Sequence, residues 1–184
     1  MLVTFIYLLI LFLILALGVI EAKHIYSILI NKEVPYIRSG SKIIKLIVQE
    51  NIFKNGAIIY DLGCGDGKFL RELEKHGQFE LIGFELHWLP YFIGRIINYF
   101  SGSKVKIQRK DLFQVNLSEA DAVFCYLFPE YMVKLENKFK NELKKNALIV
   151  SNTFTLPNWT LEREIKVKAH PLYNLSHTAY IYRV

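Results

Sequence analysis

The stretch that decides the fold is Ile58-Ile59-Tyr60-Asp61-Leu62-Gly63-Cys64-Gly65-Asp66-Gly67-Lys68-Phe69-Leu70. An apolar run typical of a strand leads into three alternate glycines, and a pattern typical of a helix follows them. Glycines let the backbone turn tightly and approach a ligand where a Cβ atom would clash. The helix beyond them offers N–H groups that have no intrahelical partner. The stretch therefore predicts a strand, a ligand-binding turn and a helix.

The spacing of the glycines discriminates between three kinds of ligand. A P-loop needs GxxxxGK[ST], and that pattern fails because Phe69 follows Lys68. A dinucleotide fingerprint needs a glycine at its sixth position, where Lys68 stands. The remaining pattern is Asp-x-Gly-x-Gly-x-Gly from Asp61, and an acid at a strand end suits a cationic ligand better than a pyrophosphate. The motif thus favours S-adenosylmethionine, which carries a sulfonium and an ammonium group; a tight turn without a ligand is the alternative.

A second acid follows at the end of the next predicted strand. Glu85 closes the run Phe79–Glu85 and lies 24 residues after Asp61. A carboxylate at this place can accept hydrogen bonds from both hydroxyls of a ribose, as the corresponding acid does in dinucleotide folds.

The rest of the chain alternates predicted strands with predicted helices. The predicted helices cover residues 39–51, 66–76, 88–100 and 129–145, and the predicted strands cover residues 57–61, 79–85, 104–109, 121–127, 147–151, 164–169 and 177–183. This alternation predicts an α/β fold with a mostly parallel sheet, helices on both faces and a closing antiparallel pair.

The first 20 residues form a separate apolar segment. Eighteen of them are hydrophobic and none is charged, and a helix of that length spans about 30 Å, the thickness of a bilayer core. Lys23, Lys32 and Arg38 follow the segment, so the positive-inside rule predicts one membrane span with the C-terminal domain in the cytoplasm. A buried core helix and a cleaved signal peptide are the alternatives, although no basic residue precedes the segment as in a signal peptide.

Composition excludes other classes of protein. Two cysteines in 184 residues cannot make a disulfide framework, and no Cys/His cluster predicts a metal site. The formal charge of +6 favours attraction to anionic cytoplasmic lipid. Nucleic acid is not expected as a partner, because no basic-aromatic platform accompanies the charge.

With these features in place, residues from about 39 to 184 resemble a class I, seven-strand S-adenosylmethionine-dependent methyltransferase. The order of the elements is similar to that of the membrane-anchored lysine methyltransferases of the ATP synthase c subunit and the adenine nucleotide translocator. The segments that carry this resemblance besides the glycine motif are Val34–Ser39, Gly83–Leu86, Arg109–Phe113, Tyr126–Pro129, Leu135–Lys138 and Phe154–Trp159.

The resemblance implies a role for particular residues. It implies S-adenosylmethionine binding by a set of nine residues, with Glu85 on the ribose, Asp111 on the adenine amino group and Leu112 beside the ring. The set is Asp61, Gly63, Cys64, Gly65, Gly67, Glu85, Leu86, Asp111 and Leu112.

The same resemblance places the methyl acceptor at Tyr126–Pro129. Tyr126, Pro129 and Glu130 are therefore the candidate catalytic residues. Their alternatives are ordinary core packing for Tyr126 and compensation of the helix dipole for Glu130.

The predicted organisation is a transmembrane anchor at 1–22, a juxtamembrane and pre-domain helix at 23–51, and a methyltransferase domain at 52–184. The predicted function is methylation of lysine side chains of a membrane protein by an enzyme anchored in the lipid bilayer. A lipid, quinone or RNA substrate, or a non-catalytic cofactor-binding scaffold, is the alternative.

Overall fold

A computed structural model describes residues 2–31, 40–167 and 178–184 of the protein. The chain divides into two compact units, Met1–Pro35 and Tyr36–Val184. The segment Val34–Ser39, which carries part of the family resemblance, lies outside the described residues.

The first unit contains one helix, α1, over Leu2–Asn31. Its part Leu2–Ile20 is long and apolar enough to cross a membrane. The large apolar side chains from Leu2 to Ile20 are exposed and do not pack in a core. The predicted helix is thus confirmed, and it continues without a break beyond the apolar segment.

The second unit is built on one seven-stranded sheet. Its strands are β1 Ile58–Leu62, β2 Glu80–Glu85, β3 Lys106–Arg109, β4 Ala122–Cys125, β5 Leu148–Asn152, β6 Arg163–Lys166 and β7 Thr178–Arg183. Their order across the sheet is β3-β2-β1-β4-β5-β7-β6. Strands β1 to β5 pair in parallel, whereas β7 is antiparallel to both of its neighbours. The predicted α/β fold with a mostly parallel sheet and a closing antiparallel pair is confirmed.

Helices cover both faces of this sheet. They are α2 Ser41–Gln49, α3 Lys68–Glu74, α4 Trp88–Ser101 and α5 Pro129–Glu142, with a short 3-10 helix over Leu112–Gln114. One face packs against the apolar residues of α2 and α3, and the other against those of α5. The α2 side chains Ile43, Ile44 and Ile47 are fully buried in that core, so α2 packs as an integral part of the second unit.

The order of the strands determines where a ligand can bind. The chain runs from β1 outward to β2 and β3, and then returns to the other side of β1 with β4. The carboxyl ends of β1 and β4 therefore flank the point where the strand order reverses, which is the place where open α/β sheets bind ligands.

Candidate cofactor and active site

The glycine loop after β1 is held against the carboxyl end of β2. The backbone N–H groups of Gly63 and Cys64 both donate to the Phe84 carbonyl, at 2.9 and 3.1 Å. The next N–H, of Gly65, donates to the Glu85 carboxylate at 2.9 Å. The two predicted acid-bearing segments, although 24 residues apart in sequence, thus form one structural unit.

Gly67 ends this loop at a position that favours glycine. Its φ is +77°, and a Cβ atom there would lie 2.8 Å from the Ile107 side chain. The residue also directly precedes the first turn of α3. A side chain would therefore strain the backbone and require the tip of the Ile107 side chain to move.

Three carboxylates converge at this edge of the sheet. Asp61, Asp66 and Glu85 are 3%, 2% and 5% exposed. Asp66 accepts from the Lys68 N–H at 3.1 Å and lies beside the Arg71 guanidinium. Glu85 accepts from the N–H groups of Gly65 and His87, the latter at 2.7 Å.

Asp61 has no comparable stabilisation. Burial raises its pKa well above the usual range, and the negative charges of Glu85 and Asp66 raise it further. Nothing in the described part of the chain lowers the pKa of Asp61, so the charged form lacks a cation or donor there. A ligand that brings positive charge or hydroxyl donors fits this arrangement, whereas a phosphate would meet like charge.

Cys64 and Leu86, the other two candidates in the loop and at the end of β2, differ in their surroundings. The Cys64 thiol is turned into the core, where a Cβ atom at Gly83 would lie 2.5 Å from its sulfur. Burial is the main cause that raises the pKa of the Cys64 thiol well above its usual range, so the sulfur is a packing group. Leu86, by contrast, is exposed directly after Glu85.

The predicted adenine residues follow β3, beside the end of β2. The Lys110 N–H donates to the Glu85 carbonyl at 3.2 Å, which brings the segment to the cofactor loop. Asp111 accepts from the Phe113 N–H at 2.9 Å and so caps the 3-10 helix. Leu112 is half-buried on the α5 side of the sheet. This cap orients the Asp111 carboxyl group through one of its two oxygens.

The predicted catalytic residues lie at the end of β4 and the start of α5. Tyr126 is half-buried, and its ring stacks on Phe154 with the centroids 6.2 Å apart. Phe128 also contacts Phe154, at 5.8 Å between centroids. Pro129 and Glu130 form the exposed first turn of α5. The ends of β4 and β5 therefore carry an aromatic wall, defined here as Tyr126, Phe128 and Phe154.

Sequence reasoning missed several residues of this region. It did not assign Asp66, although an acid among alternate glycines is visible in the sequence. It also missed Thr153, a β-branched residue at φ +74°, which is a strained conformation of the kind found at functional sites. No local sequence signal marks Thr153, whose N–H donates to the distant Thr178 carbonyl at 2.7 Å.

A further missed feature fixes the loop after β5. The buried carboxylate of Glu136 on α5 accepts two hydrogen bonds from Asn158, one from the backbone N–H and one from the side-chain amide, both at 2.8 Å. Trp159 packs edge-on against Phe139 at 6.5 Å. These contacts hold the segment that begins with Phe154.

No group of three or more His, Cys, Asp or Glu side chains that could hold a metal ion is found among the residues that the structure describes.

The fold and the acidic glycine loop define a class of enzyme. The crystal structure of an RNA methyltransferase from Salinibacter ruber, in complex with S-adenosyl-L-homocysteine, matches with a TM-score of 0.73 over 80% of this chain and 94% of that chain. Because the two sequences are only 21% identical, this match shows that the folds are alike. Together with the family match below, the seven-stranded sheet identifies an S-adenosylmethionine-dependent methyltransferase.

The particular family follows from sequence comparison. The chain belongs to the ANTKMT methyltransferase domain family, whose profile matches residues 61–163. A protein-lysine N-methyltransferase of Saccharolobus islandicus is 28% identical over 152 residues, which cover 81% of this chain and 92% of that protein. An adenine nucleotide translocase lysine N-methyltransferase of Mus musculus is 30% identical over 131 residues, 69% of this chain. The chain spans only 56% of that mouse protein.

Proposed function

We propose that the protein is a membrane-anchored protein-lysine N-methyltransferase that acts on a membrane protein. The observation that carries the lysine assignment is the match to the Saccharolobus islandicus protein-lysine N-methyltransferase, which extends over 92% of that relative. The mouse relative, named for a lysine of adenine nucleotide translocase, supports the same class of acceptor.

The acid-lined loop is proposed to hold the cofactor. When bound, S-adenosylmethionine supplies the methyl group. Asp61 and Glu85 provide carboxylates for the cationic and hydroxyl groups of this ligand, and the backbone from Gly63 to Gly67 allows its close approach. Asp111 and Leu112 bound the adjoining space on the β3 side, where the adenine ring is proposed to lie.

The aromatic wall is proposed to receive the lysine side chain. The aliphatic part of a lysine packs favourably on aromatic rings, and its amino group is attracted to their faces when charged. An unperturbed lysine has a pKa of about 10.4, so the amine must lose a proton before it attacks a methyl group. Release of that proton to water, with the neutral amine held in line, suits an enzyme that works by alignment.

Tyr126 and Glu130 are proposed to assist this alignment. The Tyr126 hydroxyl can accept a hydrogen bond from the acceptor amine at the end of β4. Glu130 lies in the exposed first turn of α5, next to Pro129, and its carboxylate attracts the positive charge of an approaching lysine. Both are exposed or half-buried, so substitutions there test catalysis with little effect on the core.

Helix α1 is proposed to cross the membrane once and to keep the catalytic unit on the cytoplasmic side. Its apolar part Leu2–Ile20 satisfies the length and composition of a span. The basic residues that follow in the sequence favour a cytoplasmic C-terminal unit. Tethering both enzyme and substrate to one bilayer raises their effective concentration.

The test uses full-length protein in detergent, radiolabelled S-adenosylmethionine and membranes from its own cells. We expect label in a discrete membrane protein, resistant to mild base, and absent with Gly65→Arg. Tyr126→Phe, which removes one hydroxyl, is expected to lower the rate about fivefold while cofactor affinity is kept, since one hydrogen bond contributes about 1 kcal/mol and 1.4 kcal/mol corresponds to a tenfold change. Label only in lipid or RNA would refute the lysine assignment, and binding without any transfer would favour a scaffold.

A further inference from the structure

Helix α4 has its apolar surface on the outside. The residues that it buries are Pro90, Gly94 and Asn98, which are small or polar. Six large apolar residues of the opposite face are exposed, beside Trp88 at the start of the helix, which is 52% exposed. The six are Leu89, Phe92, Ile93, Ile96, Tyr99 and Phe100. We call this set of seven the α4 face.

The orientation of α4 is fixed by contacts that leave no alternative rotation. A Cβ atom at Gly94 would lie 2.8 Å from the backbone carbonyl oxygen of Asp66, so the helix passes close over the cofactor loop. The Asn98 amide donates to the Val105 carbonyl at 2.8 Å and accepts from the Arg71 guanidinium at 3.0 Å. Turning the α4 face inward would break these bonds and force large side chains against the loop.

The size of the α4 face is unusual for a protein surface in contact with water alone. Tyr99 and Phe100 are each 82% exposed, and the Trp88 and Phe92 rings stack with centroids 5.1 Å apart. Contiguous apolar patches of this kind mark sites of interaction with proteins or membranes. Tryptophan and tyrosine are also the residues enriched where proteins meet the membrane–water interface.

The charge around α4 indicates which partner fits. Residues 86–110 contain five basic residues and no acidic residue. Arg95 lies on the helix itself, and Arg109 reaches back to the Leu86 carbonyl at 3.4 Å, beside the start of α4. Lys106 is paired with Glu80 at 2.8 Å, which leaves Lys104 and Lys110 at the two ends of β3 to add positive charge. An apolar helix face bordered by basic side chains is the pattern of helices that lie in the interface of an anionic bilayer.

We propose that α4 is a second membrane contact, lying in the plane of an anionic bilayer surface with the α4 face inserted among the headgroups. The inference goes beyond the proposed function, because it concerns a lipid surface and neither the methyl acceptor nor the span α1. Helix α4 begins at Trp88, three residues after Glu85, so this docking holds the rim of the cofactor site at the membrane surface. A membrane-bound lysine then needs to lie close to the headgroups to reach it.

The chain offers a matched pair of probes, since its two tryptophans are Trp88 and Trp159. Full-length Trp159→Phe keeps only the tryptophan of the α4 face, and full-length Trp88→Phe keeps only the one that packs on Phe139. Both variants are reconstituted into vesicles with brominated acyl chains, either of phosphatidylglycerol or of phosphatidylcholine. Because α1 can hold either variant on the vesicles, the readout is the quenching of one ring and not flotation.

We expect Trp88 to be quenched at least about twofold more in phosphatidylglycerol than in detergent, since interfacial helices bury their apolar face about 5–10 Å deep. Quenching is expected to be weaker in phosphatidylcholine, and Trp159 to be unaffected in both lipids. The triple change Phe92→Ser, Ile93→Ser and Ile96→Ser, made in the Trp159→Phe background at exposed positions, is expected to abolish the quenching of Trp88.

Three results would overturn the proposal. One is Trp88 quenching no greater than that of Trp159 in phosphatidylglycerol. Another is quenching that survives the triple change. The third is a chain that is dimeric in detergent and becomes monomeric with the triple change, which would assign the α4 face to a second copy. Methyl transfer is not measured in this experiment, so failure of the proposed function leaves its result intact.

Discussion

Replacing Asp61 by asparagine is expected to change cofactor binding and the stability of the cofactor-free protein in opposite directions. Asp61 is buried at the end of β1 beside the carboxylates of Glu85 and Asp66, and all three of these influences raise its pKa. In the free protein its negative charge is therefore unfavourable. Asparagine has nearly the same shape and no charge, so Asp61→Asn tests the charge with little change in packing.

The size of both effects follows from the lack, among the described residues, of a cation or hydrogen-bond donor beside the Asp61 carboxylate. An unpaired buried polar group costs about 1–3 kcal/mol, and a hydrogen bond to a charged group contributes about 1.5–3 kcal/mol. We expect Asp61→Asn to raise the free energy of unfolding of the cofactor-free protein by about 1 kcal/mol at neutral pH. Loss of the charged contact is expected to weaken S-adenosylmethionine binding about 10- to 100-fold, since 1.4 kcal/mol corresponds to a tenfold change.

The same variant predicts the pH dependence. The folded-state pKa of Asp61 is raised above the unfolded value of about 3.9, so the folded protein holds this proton more tightly than the unfolded chain. The contribution of Asp61 to the free energy of unfolding therefore falls as pH rises from the unfolded pKa through the folded pKa. Cofactor affinity should rise over the folded-state titration, because the charged carboxylate binds the cation. Both dependences are expected to be flatter in Asp61→Asn.

The assays are thermal unfolding in a mild detergent, followed by near-ultraviolet circular dichroism, and calorimetric titration with S-adenosylmethionine, each across a range of pH. Glu119→Gln is a suitable control, since it removes an exposed carboxylate that lies outside the proposed site. An Asp61→Asn variant that is less stable without cofactor and binds it with unchanged affinity would refute the reasoning. Asp61 would then be a structural residue of the turn.

Three other substitutions test the local geometry. Gly67→Ala should lower the free energy of unfolding by about 1–3 kcal/mol, measured by urea denaturation, because of its φ of +77° and the 2.8 Å approach to Ile107. Thr153→Gly should raise the free energy of unfolding by about 1 kcal/mol, since φ is +74°; an unchanged or lower urea midpoint would contradict stored strain. Glu136→Ala should lower it by about 2–3 kcal/mol, because both hydrogen bonds to Asn158 are lost, whereas Glu136→Gln should retain part of that stability.

The cofactor half of the site could be predicted because its signal is local. Asp61 and the glycines lie within seven residues, and Glu85 ends the very next strand, so parallel pairing of β1 and β2 brings both acids to one edge. The order of the last strands across the sheet was harder to predict from the sequence. The sequence predicts an antiparallel pair over residues 164–169 and 177–183, and β6 and β7 confirm it over the described part; residues 168, 169 and 177 lie outside the described residues. The place of β7 between β5 and β6 depends on long-range pairing that no local pattern encodes.

The substrate half could be predicted only in part, since it is assembled from distant segments. Tyr126 and Phe154 stack across 28 positions of the chain, and the loop of Phe154 is held by Glu136 from a third element. Hydrophobic periodicity assigns each of these residues to a strand end, a helix or a loop. It gives no information on which of those segments meet, because that depends on the tertiary packing of β4, β5 and α5.

Helix α4 shows where periodicity is insufficient even for a correctly predicted helix. The run Trp88–Phe100 has the spacing of an amphipathic helix, and such a stripe ordinarily faces the core. In α4, the rotation of the helix is decided by Gly94, the residue that lies closest to the cofactor loop. Only glycine fits there against the Asp66 carbonyl. The close contact of Pro90 and Gly94 with the core and the polar contacts of Asn98 therefore outweigh the burial of seven apolar side chains. Those seven side chains remain exposed in the protein by itself, and a bilayer can cover them without any second protein.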